Sequence, residues 1–286
     1  MTDSLLWEIK NPNDNKSSYI FGTIHVYDPE IFIIPAAVYH AVSTVDIFAL
    51  EADASLLSHE EIVSRITTDD PERTLDKLFD DDTYRKIKEA TGNIDDDILK
   101  RYKPLFITSL ILNHYGYSRS VDEELRRYAS HLGKQIVGLE SVDEQIDAVD
   151  DVSPEEQVDI IVKSFMNESD PVRDLIKMMK YYKDQNFKEI VENMKSTSIP
   201  ETFTESIQLK RNIRMSDRIS EIISSGKSVF AAVGAMHLPD VDDTAGMIGL
   251  MKQKGYDLIP VAIELRNPRK YHTDSSVFPD EPTDNR

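Results

Sequence analysis

The clearest pattern in the chain is the placement of short apolar runs, which occur near both ends and are rare in the middle. Runs rich in Val, Ile, Phe and Tyr are typical of buried or half-buried strands. The first two runs flank the turn-rich stretch NPNDNKS and predict a hairpin or two neighbouring strands. Five runs near the ends predict strands: Leu5–Ile9, Ser18–Phe21, Val45–Leu50, Lys227–Val233 and Tyr256–Leu265.

Helical spacing dominates the rest of the chain. One helix is predicted from Ala36 to Ser43 and another from about Ala245 to Lys254. The long middle from Ser58 to Ser225 is rich in helix starts, and a single strand at Gln135–Leu139 interrupts it. This order predicts an α/β fold with a mixed central sheet, built from the N- and C-terminal parts, and a large helical insertion at about residues 56–226.

The predicted domain covers residues 1–266 as one unit, because 286 residues with 40 % apolar content suffice for one large core. Residues 267–286 are polar and lack periodicity, so we expect a flexible tail there.

The composition of the chain excludes several classes of binding partner and of functional site. The chain has 52 acidic and 33 basic residues, and the net charge of −19 repels nucleic acid and anionic lipid. It has no cysteine, which excludes thiolate nucleophiles and cysteine-based zinc sites. No uncharged run approaches the ~20 residues of a membrane helix, and the N-terminus has no signal-like pattern. We therefore expect a cytoplasmic protein with no membrane-spanning segment and no nucleic acid partner.

A short motif, Gly-x-x-His, occurs twice at matching places. Gly22-Thr23-Ile24-His25 and Gly234-Ala235-Met236-His237 each follow a predicted strand. Ligands bind at the carboxyl edge of such sheets, so the two histidines can face one pocket. Each motif alone is also compatible with a capped loop histidine.

Acidic residues follow two other predicted strands. Glu51 and Asp53 come after the third strand, and Glu140 comes after Gln135–Leu139. Two imidazoles and a carboxylate can hold Mn, Co, Zn or Fe, which suggests His25, Glu51 and His237 as metal ligands. Asp53 and Glu140 are the candidates for orienting or deprotonating a water molecule.

Arg211 and Asn212 lie on a predicted helix and are the candidates for steadying a substrate carbonyl or carboxylate. Structural roles remain open for all of these polar residues. The acidic residues can cap the helices that follow them. Arg211 can pair with Glu205 or Asp217, or with a buried acid that has no catalytic role.

The chain also resembles the TraB/GumN group, which includes pheromone-shutdown proteins of PrgY type and the Tiki proteins. The resemblance spans nearly the whole predicted domain. It rests on these segments in order: LLWEI at 5–9, YIFGTIHV at 19–26, LEAD at 50–53, GKQIVGLESVDEQ at 133–145, KRN at 210–212, VGAMHL at 233–238 and GY at 255–256.

The resemblance implies the erythromycin-esterase and ChaN-like fold, and the Tiki members imply a metal-dependent peptidase. Carried over to this chain, it points first to His25, Glu51 and His237. Two alternatives stay open. The chain can bind and sequester peptides without turnover, or it can bind haem or iron, as the ChaN-like relatives suggest.

Overall fold

A mixed sheet is the centre of the fold. The computed structural model describes residues 4–12, 15–92, 94–165, 171–196, 200–241 and 244–266. In this part of the chain the sheet has the strand order β4-β3-β5-β2-β1-β6. The strands are β1 Leu6–Lys10, β2 Ser17–Thr23, β3 Ile47–Ala52, β4 Gln135–Glu140, β5 Val229–Gly234 and β6 Asp257–Val261. The predicted α/β class and the assembly of the sheet from both ends of the chain are confirmed.

Strand direction divides the sheet into two parts. β1 and β2 form the predicted antiparallel hairpin, and β6 pairs with β1, also antiparallel. β2, β5, β3 and β4 run parallel to one another. The first five residues of both β3 and β5 are buried, as expected for central strands covered on both faces.

Helices fill the sequence between the strands. Their bounds are α1 Ala36–Thr44, α2 His59–Ile66, α3 Leu75–Leu78, α4 Asp81–Ala90, α5 Asp96–Leu99, α6 Ile107–His114, α7 Val121–His131, α8 Val142–Asp150, α9 Pro154–Phe165, α10 Pro171–Lys183, α11 Phe187–Ser196, α12 Glu201–Phe203, α13 Lys210–Ser224 and α14 Met247–Gln253. Short 3₁₀ turns occupy Ala54–Leu56, Pro104–Phe106 and Ala235–His237, and a π-helix occupies Thr204–Leu209.

Local sequence explains where several helices begin. Ser141 and Glu144 form the predicted capping box at the start of α8, and Ser58 with Glu61 forms another before α2. Pro154 opens α9, because the fixed φ of proline suits a first helical turn.

Two groups of apolar side chains are buried. The larger one surrounds the sheet and includes Phe21, Phe48 and Phe230. The smaller one lies inside the helical insertion, around Leu75, Ile87, Leu99, Ile107 and Ile161. The insertion therefore has an apolar centre of its own.

In the described ranges, no helix combines the length and apolar character that crossing a bilayer requires. The predicted tail, residues 267–286, lies outside the described residues.

Candidate active site

The carboxyl ends of the four parallel strands bring the predicted residues to one edge of the sheet. His25 lies two residues beyond β2, and His237 ends the 3₁₀ turn that follows β5. Glu51 is the next-to-last residue of β3, and Glu140 is the last residue of β4. Strand order thus places side chains that are far apart in sequence on adjacent strand ends.

His237 is buried and held by Asn212 of α13. Its Nδ1 lies 2.6 Å from Asn212 Oδ1, while Asn212 Nδ2 donates to the carbonyl oxygen of Ala245 at 2.9 Å. Because the amide group of Asn212 donates to Ala245, its oxygen faces the ring and must accept a hydrogen bond from Nδ1. The neutral ring therefore keeps a free lone pair on Nε2.

Glu51 accepts several hydrogen bonds at the centre of the site, and its side chain is only 7 % exposed. Oε1 accepts from the backbone N–H of Gly234 at 2.5 Å and lies 3.6 Å from His237 Nε2. Oε2 accepts from Arg211 at 2.7 Å and from Gln145 at 3.2 Å. These contacts hold the carboxylate with one oxygen toward His237.

His25 lies on the open side of the site, with 71 % of its side chain exposed. Its Nδ1 is 3.3 Å from Asp122 Oδ2, in the first turn of α7. The hydroxyl of Thr23 donates to the other oxygen of Asp122. Since a carboxylate only accepts hydrogen bonds, Nδ1 of His25 carries the proton and Nε2 is left for the site.

Gly234 marks the point at which these groups converge. A methyl group on its Cα would lie 3.1 Å from Glu51 Oε1, 3.5 Å from His237 Cδ2 and 3.9 Å from His25 Nε2. His25 Nε2 and Glu51 Oε1 are therefore at most about 7 Å apart. Any larger residue at position 234 would occupy the space between the two histidines.

The surroundings shift the three pKa values in different directions. The charge and hydrogen bond of Asp122 raise the pKa of His25 to about 9. Burial lowers the pKa of His237 to about 4. Burial opposes ionisation of Glu51, but the positive charges of Arg211 and His25 hold its pKa well below its usual range. At neutral pH the site thus combines a protonated His25, an ionised Glu51 and a neutral His237.

Arg211 joins two buried acids behind the site. Its Nε donates to Glu140 and one terminal nitrogen donates to Glu51, each at 2.7 Å. The second oxygen of Glu140 accepts from Arg214 at 2.7 Å, and the side chain of Glu140 is fully buried. Because both of its oxygens are engaged by arginines, Glu140 is placed to position Arg211 rather than to accept a proton from water.

The site opens into a cavity of about 330 Å³. Asp53 lies on its wall, where its side chain also accepts from the backbone N–H of Ser55 and caps the 3₁₀ turn. Arg126 lies on the same wall, in a two-point ion pair with Glu123. His25, Glu51 and Gln145 are further lining residues. Asp53 therefore has two roles. It caps the turn that follows it, which was the structural alternative considered from the sequence, and it lines the cavity.

The donor chemistry of the site fits a divalent metal, although the described side chains include no group of three or more His, Asp or Glu arranged as a metal site. Both imidazoles engage Nδ1 and leave Nε2 available, as metal-binding histidines do. Two ligands at zinc distances in a tetrahedron stand about 3.4 Å apart, close to the 3.6 Å between His237 Nε2 and Glu51 Oε1.

Asp122, Gln145 and Arg214 are site residues that the sequence analysis missed. Asp122 follows the capping residue Ser120, so its pattern is that of an ordinary acidic first helical turn. Arg214 could have been found from its spacing, because it lies one helical turn after Arg211. No local signal distinguishes Gln145 from other polar residues of α8.

Comparison with known proteins gives one match. The model of the TraB/PrgY/gumN family matches residues 5–260, which include the strands that carry both histidines and both buried acids. No curated protein and no solved structure matches the chain.

Proposed function

Because the chain belongs to the TraB/PrgY/gumN family, we propose that it is a metal-dependent hydrolase acting on peptides, with His25, Glu51 and His237 as the metal ligands. One observation carries this proposal. Both imidazoles have Nδ1 engaged, by Asp122 and Asn212. His237 Nε2 lies 3.6 Å from Glu51 Oε1, and His25 lines an open cavity together with Glu51. This is the arrangement that second-sphere partners give to metal-binding histidines.

A metal held there, with Mn, Co, Zn and Fe as the candidates, would supply an activated water molecule and polarise the scissile carbonyl. The residues of the chain prepare the site for it. Asn212 keeps the proton of His237 on Nδ1, and Arg211 keeps Glu51 ionised and fixed. Asp122 stabilises the charged form of His25, and metal binding there requires loss of the Nε2 proton of that form, so metal affinity rises with pH.

The cavity supports the peptide part of the proposal. It is open to solvent and lined by hydrogen-bonding groups, including Asp53, Ser55, Gln145 and Arg126. Asp53 is better placed than Glu140 to orient a water molecule, because it faces the cavity while Glu140 is enclosed by two arginines. Arg211 has the role of a positioning residue, since its described hydrogen bonds go to Glu51 and Glu140.

The test combines metal loading with a peptide library. Protein stripped with EDTA is reloaded with each metal and assayed on fluorogenic peptides. We expect activity with at least one metal, and a loss of more than about 100-fold in His25→Ala and in His237→Ala. His40→Ala is the matched control, because His40 is exposed on α1, and it should keep full activity.

The alternative is a peptide-binding protein without turnover, in which the open polar cavity holds the peptide. Saturable binding with the intact peptide recovered, under every metal, would contradict the hydrolase proposal and support this alternative. A cytoplasmic location stays part of the proposal and is tested by cell fractionation.

A further inference from the structure

A second cavity, of about 450 Å³, lies beside the site and shares no lining residue with the first. It is enclosed by β1, β6, α14 and the start of α11. Its walls are mainly apolar and come from Trp7, Phe187, Leu238, Ile248, Leu258 and Pro260. Cavities of this size and character are typical of sites for small ligands.

Two charged side chains line this cavity, Lys252 and Asp240. Lys252 lines the cavity, and its ammonium group lies 5.8 Å from the centre of the Trp7 ring. Lys252 makes no ion pair with any residue in the described ranges. Asp240 does not pair with Lys252. Its Oδ1 accepts a hydrogen bond from the backbone N–H of Gly246 at 2.8 Å.

From this arrangement we propose that the second cavity binds a small anionic amphiphile, with its apolar chain against Trp7 and its carboxylate at Lys252. The apolar walls provide the affinity for the chain. The ammonium group of Lys252, which pairs with no carboxylate in the described ranges, favours a negative head group over a neutral or positive one. The proposal does not depend on the hydrolase activity.

The cavity has a direct structural link to the candidate active site. Leu238 forms part of its wall and immediately follows His237. The Cδ1 of Leu238 packs so closely on Gly22 that a methyl group there would lie 2.7 Å from it. A ligand in the cavity therefore contacts the side chain that connects the two Gly-x-x-His segments.

Trp7 makes the proposal measurable, because it is the only tryptophan of the chain and it lines the cavity. The full-length protein is titrated with decanoate, decanol and decylamine, each below its micelle concentration, while tryptophan emission is recorded. We expect a saturable change with decanoate and an affinity about fivefold weaker for decanol, with decylamine weaker still.

Two variants test the head-group contact. Lys252→Met keeps the apolar stem and should weaken decanoate binding about fivefold while leaving decanol binding unchanged. Lys254→Met is the matched control on the same helical segment, since Lys254 pairs with Asp217 and does not line the cavity. It should bind decanoate like the parent protein.

Three outcomes would overturn the proposal. The first is the absence of any saturable change in Trp7 emission with decanoate. The second is equal affinity for the three head groups. The third is an equal effect of Lys252→Met and Lys254→Met on decanoate binding.

Discussion

The two Gly-x-x-His segments begin from the same sequence pattern and end in different environments. His25 is largely exposed and paired with the carboxylate of Asp122, whereas His237 is 9 % exposed and paired with the amide of Asn212. The same edge of the sheet thus carries one imidazole that favours its charged form and one that favours its neutral form. The orienting partner and the burial, and not the motif, determine the proton state.

This difference divides the site into two halves. The His237 half stabilises the fold, and the His25 half exchanges with solvent. On the His237 side, Asn212, Glu51 and Arg211 are buried, and Arg211 connects Glu51 to Glu140. On the His25 side, the ring is free to exchange protons or ligands with water. Substitutions should therefore affect folding on the buried side and binding on the open side.

The largest expected loss of stability comes from substituting Arg211, the cation on the buried side of the site. Arg211→Gln leaves Glu51 and Glu140 buried with too little positive charge, and we expect a loss of about 3–5 kcal/mol in the free energy of unfolding. Chemical denaturation of the metal-free protein measures it. Arg218→Gln is the control, because Arg218 pairs with Glu144 in a partly exposed position and should cost no more than about 1 kcal/mol. Equal losses would show that Arg211 is not the centre of the buried network.

The orienting partners should also differ in their effect on stability. Asn212→Ala leaves Nδ1 of His237 and the carbonyl of Ala245 without partners in a buried place, and we expect a loss of about 2–3 kcal/mol. Asp122→Ala should cost less, because water can replace it at the exposed ring of His25. The same denaturation series measures both. A larger cost for Asp122→Ala would reverse the comparison.

The two motif glycines give a matched pair of substitutions. Gly22→Ala places a methyl group 3.0 Å from the backbone Cα of Ala235, and we expect a loss of about 1–2 kcal/mol. Gly234→Ala meets only side chains at 3.1 Å or more, so it should cost less stability. It should nevertheless weaken metal binding, because the methyl group lies between the ligands. Calorimetric titration with Zn²⁺ after EDTA treatment is the check, and unchanged Zn²⁺ affinity would contradict the proposed convergence at Gly234.

The last pair of effects concerns pH, and the two histidines change stability with opposite signs. The pKa of His25 is raised to about 9, so its contribution to stability is complete below about pH 6.5 and is lost as the pH rises through 9. The pKa of His237 is lowered to about 4, so its neutral form favours folding above pH 6.5 and stability falls as the pH drops from 6.5 toward 4.

Denaturation of His25→Gln and His237→Gln, each compared with the parent protein in EDTA, separates these two contributions. The difference in the free energy of unfolding between variant and parent should vary with pH above pH 6.5 for His25→Gln. For His237→Gln it should vary below pH 6.5. Both differences changing over the same pH range would show that the two rings titrate as one unit.

Much of this arrangement follows from the sequence. Apolar runs and turn residues predicted the strands, and the parallel order of β2, β5, β3 and β4 explains why residues after strands meet. His237 Nε2 lies 3.6 Å from Glu51 Oε1, and His25 lines the same cavity as Glu51. Their role as metal ligands stays a prediction.

The orienting partners were harder to predict, because they depend on tertiary packing. Asp122 reaches His25 only because α7 begins beside the end of β2, where Val121 donates to the carbonyl of Ile24. Arg211 was predicted either to hold a substrate group or to pair with another residue such as a buried acid, and it binds two buried acids, Glu51 and Glu140. A sequence pattern predicts which type of side chain lies at a strand end. It does not predict which of several acids will pair with a histidine or an arginine there.

The π-helix at Thr204–Leu209, which runs directly into α13, has a consequence for how this protein can change over evolution. A π-turn holds one more residue than an α-turn, so losing one residue there restores ordinary helical winding. The shift would fall on α12, while Arg211 and Asn212 kept their partners. Length variation can therefore accumulate immediately upstream of the site without rotating the residues on which Glu51 and His237 depend.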